Sequence, residues 1–115
     1  MKTVAFIATM LLAGCVTAED PHQAALMNVI EQQVHMPKEA LALPSYGRFY
    51  TAADNGDIIG VYVASTHNDL RVGQRRWVKD VYHLPAIDDG ECFIVNVRFD
   101  QKAGKVIQTF CNGIA

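Results

Sequence analysis

The tetrapeptide Asp54-Asn55-Gly56-Asp57 stands between two apolar runs, Arg48-Phe49-Tyr50-Thr51-Ala52-Ala53 and Ile58-Ile59-Gly60-Val61-Tyr62-Val63. Asn-Gly adopts the left-handed backbone of a tight turn at little cost, and aromatic and β-branched flanks favour strands. The pattern predicts a hairpin. A two-residue turn would pair Asp54 with Asp57, setting Phe49 opposite Tyr62 and Tyr50 opposite Val61. Both faces of such a hairpin are apolar, so either both are covered or one is a contact surface.

A second strand signal lies near the C-terminus. Phe93, Val95, Val97 and Phe99 alternate with Ile94, Asn96 and Arg98, which predicts one strongly apolar face and one mixed face. Asp100-Gln101-Lys102-Ala103-Gly104-Lys105 reads as a hairpin loop with Gly104 left-handed. The implied register sets Phe99 opposite Val106, Val97 opposite Gln108, Val95 opposite Phe110 and Ile94 opposite Cys111. Cys92 is then diagonal to Cys111, at roughly 7–8 Å between Cα atoms, so a bond between them requires a bulge or splaying at the strand end.

Upstream the period is helical. Asp20 is placed to cap, Pro21 sits at the favoured first position, and Gln23 has capping-box spacing. Leu26, Val29, Ile30 and Val34 recur at helical spacing, with Asn28, Glu31 and Gln32 on the other side, predicting an amphipathic helix over about 21–35. Pro37 and Pro44 end this region. Gln74-Arg75-Arg76-Trp77-Val78-Lys79 is a candidate short strand. The expected class is α+β, an N-terminal helix packed on a four- to five-stranded antiparallel meander. This order of elements resembles cystatin-like and related helix-on-curved-sheet domains.

The chain begins Met1-Lys2-Thr3 and then runs without charge from Val4 to Cys15, the anatomy of an export signal. The run breaks at Thr17 and turns acidic at Glu19-Asp20, short of the ~20 apolar residues of a spanning helix. Leu12-Ala13-Gly14-Cys15 resembles the lipobox of bacterial lipoproteins, and the resemblance implies cleavage before Cys15 and lipid on that cysteine. Val16-Thr17-Ala18 alternatively fits ordinary cleavage after Ala18. The expected organisation is a signal over 1–18 and one small domain over 19–115, located in the periplasm or anchored at the outer membrane.

With Cys15 assigned to the signal, Cys92 and Cys111 form an even pair in an oxidising compartment, so a disulfide is expected. The 10 basic and 12 acidic side chains give a net charge of −2, which with export argues against nucleic acid as a partner. His22, His35, His67 and His83 show no paired-ligand spacing, and no metal or cofactor is expected. No nucleophile motif is present. His67 and Asp69 share a polar loop and are the candidate acid–base pair of a small hydrolase, the alternative to a binding function.

Arg75, Arg76 and Trp77 are the candidate binding residues, because Arg and Trp dominate interface hot spots. Alternation puts Arg75 and Trp77 on one strand face and Arg76 on the other. The competing structural reading makes Trp77 core and pairs the arginines with carboxylates. The functional expectation is a non-enzymatic envelope module contacting a protein or peptidoglycan partner, held to the membrane through Cys15 if lipidated.

Overall fold

Asp20, extended at its own backbone, accepts the amide hydrogen of Gln23 at 3.0 Å, and Pro21 opens helix α1 (Pro21–Gln33). The computed structural model describes residues 18–113; the apolar leader, the Leu12-Ala13-Gly14-Cys15 motif and the lipid expected on Cys15 lie outside the described residues. The helix stops at Gln33, slightly short of the expected 35, where Val34 turns extended while its N–H still reaches the Ile30 carbonyl. Met27 and Ile30 are its buried residues, with Leu26 and Val34 packed alongside. Val29 points to solvent, 39% exposed.

Five strands follow: β1 (Gly47–Ala52), β2 (Ile58–Val63), β3 (Arg75–Trp77), β4 (Ile94–Asp100) and β5 (Lys105–Cys111). Their order across the sheet is β3-β1-β2-β4-β5, and β3 runs parallel to β1. The class is α+β, but the sheet is mixed rather than an antiparallel meander. After β2 the chain crosses to the outer edge of β1, where Arg48 N donates to Gln74 O and Val78 N to Tyr50 O. These bonds satisfy backbone groups of β1 that a meander would leave open.

The first hairpin has a three-residue loop, Asp54-Asn55-Gly56, with Gly56 at φ +91° and the Asn55 side chain accepting from Asp57 N. The extra residue shifts the expected register by one, so Phe49 faces Val61 and Tyr50 faces Gly60. Both faces of the hairpin are covered. Beneath the helix lie Tyr46, Tyr50, Ile58, Tyr62, Val95, Val97 and Phe99. On the other face, Phe49, Val61, Val63, Leu70 and Ile94 pack under the long connection, with Val78, Leu84 and Ile87 against them. Gly60 makes room for the tyrosines: a Cβ there would stand 3.2 Å from the Tyr50 ring and 3.3 Å from the Tyr62 ring.

In the second hairpin Phe99 faces Val106 as expected, and then a bulge shifts the ladder between Arg98 and Phe99. Val97 therefore faces Thr109, and Val95 faces Cys111. Cys92 leaves the strand altogether. Gly90 and Glu91 are both left-handed, and Glu91–Phe93 forms a 3-10 turn that folds back over the strand end. Cys92 and Cys111 are thus disulfide-bonded with Cα atoms 4.6 Å apart. The same turn removes Phe93 from the buried face that alternation assigned to it, leaving it 65% exposed.

The helix is tied to both edges of the sheet. Before its first turn, Glu19 pairs with Arg75 on β3. At its last residue, the Gln33 amide donates to Gly104 O at 2.8 Å and accepts from Val106 N at 2.9 Å on β5.

Candidate functional site

Glu31 is the centre of the largest polar cluster between helix and sheet. Sequence periodicity put it on the solvent side, yet its side chain is only 15% exposed. Its Oε2 accepts from Arg48 Nε at 2.8 Å and from the Tyr50 hydroxyl at 2.6 Å. Its Oε1 accepts from Arg75 at 3.2 Å and from a second Arg48 nitrogen at 3.3 Å. These four bonds use the carboxylate's acceptor capacity. Because the one Tyr50 hydrogen goes to Glu31, Tyr62, 2.8 Å away, must be the donor in the Tyr50–Tyr62 contact. Burial, reinforced by Tyr62 and the Glu31 charge, pushes the Tyr50 hydroxyl well above its ordinary pKa of 10.0. Burial also raises that of Tyr62. The cluster is saturated by its own members, so it fixes the helix on the sheet.

Arg75, Arg76 and Trp77 come together on β3 and line one open cleft of about 600 Å³. Its walls also include Gln23, Met27, Leu70 and Gln74, and the segment Ala18-Glu19-Asp20 lines it as well. The three residues do different work. Arg75 grips Glu19 through two nitrogens, at 2.8 and 2.9 Å, and gives a third to Glu31. Hydrogen bonding to Arg75 holds the Glu19 carboxyl below its ordinary range. Trp77 is half-buried against the core beneath the helix. Arg76 points to the opposite face and stays exposed, bonded to the Asn68 carbonyl at 2.8 Å.

His67 and Asp69 fall in a tight turn closed by reciprocal His67–Leu70 backbone bonds, with Asn68 and Asp69 both left-handed. The His67 ring packs edge-on against Phe49, centroids 5.9 Å apart, and Asp69 is exposed. Among the described residues no ion pair joins them. The histidine that does meet an acid is His83, whose Nδ1 lies 2.7 Å from Asp80, and that contact lowers the Asp80 pKa. The spacing of three across the turn at Val81–His83 was available in the sequence as a local signal. Compared with protein-family models, curated proteins and solved structures, the chain shows no match.

Proposed function

We propose that the chain is an exported envelope protein that works by binding, and that the β3 cleft takes a protein or peptidoglycan partner. The observation that carries this reading is the placement of Arg76. Arg76 is exposed and lines the cleft together with Trp77, Gln23 and Gln74, and its guanidinium makes one hydrogen bond, to the Asn68 carbonyl. An exposed arginine and a half-buried tryptophan lining one cleft, with the Arg75–Glu19 ion pair already closed on itself beside them, are the residue types of an interface hot spot. Lipid on Cys15 would hold the domain at the membrane; cleavage after Ala18 would leave it free in the periplasm.

Capture from an envelope extract and co-sedimentation with purified peptidoglycan, each with wild type and Arg76→Ala, test the reading. Arg76→Ala is expected to keep the melting temperature, since exposed substitutions stay within about ±0.5 kcal/mol, and to lose the partner. Equal capture by both proteins removes the β3 cleft from consideration. Intact mass of the envelope-purified chain decides the anchor: a diacyl or triacyl increment on Cys15 supports the lipoprotein form, and an unmodified chain starting at Glu19 excludes it.

A further inference from the structure

A second surface lies at the disulfide end of the sheet. Leu41 and Phe93, 47% and 65% exposed, line a cavity of about 210 Å³ with Glu39, Glu91 and Cys92. Its two walls come from distant parts of the chain and are held rigidly. The fully buried Tyr46 accepts the Leu41 amide hydrogen at 3.0 Å and donates its hydroxyl to the Cys92 carbonyl at 2.6 Å, bridging them. The disulfide fixes Cys92 to β5. Asn112 ties down the acidic approach, its side chain donating to Ile87 O and Asp89 O and its backbone to Glu91 O.

We propose that this pocket docks a basic segment of a partner protein, which inserts one large apolar side chain between Leu41 and Phe93. Three observations select that occupant. The cavity is smaller than the roughly 300–1,000 Å³ of small-molecule sites, and suits a single side chain. Two large apolar groups remain exposed on a frame too well tied to fold them inward. The cavity is lined by two carboxylates, Glu39 and Glu91, and by no basic residue; the segments 38–41 and 87–93 that form its walls add Asp88 and Asp89 against Lys38 alone. All four carboxylates are exposed, and none is in an ion pair among the described residues. Like charge disfavours a second copy of the same patch and an anionic lipid surface, while Lys or Arg flanking an apolar anchor matches it.

The test uses the purified full-length chain with its disulfide intact and three fluorescein-labelled pentapeptides: Lys-Lys-Leu-Lys-Lys, Lys-Lys-Gly-Lys-Lys and Glu-Glu-Leu-Glu-Glu. Fluorescence anisotropy is expected to show the first binding at least about tenfold tighter than either of the others, and weakening as salt screens the rim. Phe93→Ser is expected to abolish that preference while Arg76→Ala leaves it intact. Reversing the rim with Glu39→Lys and Glu91→Lys should switch the preference to the Glu peptide, a readout that does not depend on Phe93. Equal affinity for the basic and acidic peptides, or unchanged binding by Phe93→Ser, overturns the proposal. A concentration-dependent dimer that Phe93→Ser dissociates would overturn it in favour of a second copy.

Discussion

The carboxylate of Glu31 on the helix accepts the hydroxyl hydrogen of Tyr50 on the sheet at 2.6 Å, between the guanidinium groups of Arg48 and Arg75. Removing one member of such a set leaves the rest buried without a counter-charge. Glu31→Ala is therefore expected to cost about 3 kcal/mol, and Tyr50→Phe about 1–2 kcal/mol. Urea denaturation of both single variants and the double variant should give a total smaller than the two single losses together, because the same bond is counted in each.

Alkali should unfold the chain earlier than its exposed groups alone would dictate. Tyr50 and Tyr62 have pKa values raised by burial above the ordinary 10.0, so the folded state keeps protons that the unfolded state releases. Their contribution is fully present below about pH 10 and declines above it, by up to about 1.4 kcal/mol per pH unit for each group. Urea midpoints at stepped alkaline pH should fall on this slope, and Tyr62→Phe should flatten it. At acid pH the opposite sign holds for Glu19: its lowered pKa gives stability above the ordinary 4.5 that is lost as pH falls.

Reduction of the Cys92–Cys111 bond opens a loop of sequence separation 19. Loop-closure entropy for that length is worth about 3 kcal/mol, and each kcal/mol moves the melting temperature of a domain this size by about 4–8 °C. Calorimetry with and without reductant should show a drop of about 12–24 °C. An unchanged transition would mean that the turn at Glu91–Phe93 holds without the bond.

Gly60→Ala should disturb the tyrosine pair from below. The added methyl meets two rings at 3.2 and 3.3 Å, both fixed by hydroxyl bonds and neither free to swing away. A loss of about 1–3 kcal/mol is expected for this overpacking. Thermal unfolding checks it, and Tyr50→Phe in the same chain should relieve part of the loss by freeing one ring.

What the sequence made legible was local. Asp20 and Pro21 announce the helix start within a few positions, and Gly104 announces its own turn. Arg75 and Trp77 share a face because a strand has a period of two. Glu31 was misread because a carboxylate counts as solvent-facing in any periodicity, and nothing near it signals Arg48, 17 positions away, or Arg75, 44 positions away. The parallel docking of β3 was hidden for the same reason, since it joins segments brought together only by the finished sheet. Phe93 lies at the boundary: alternation extends one residue beyond the strand start at Ile94, into the turn that the left-handed Gly90 and Glu91 set up.

Gln33 has a consequence for how these molecules behave in a crowd. Its side-chain amide offers β5 one donor and one acceptor in the place where a sixth strand would begin. An incoming chain must displace it before pairing there, and on the far side β3 offers only three residues to copy. Edge-to-edge addition is the step by which soluble sheets become fibres. The helix end therefore acts as a chain stopper against polymer growth, and releasing it with Gln33→Ala should bring the onset of self-assembly to lower protein concentration.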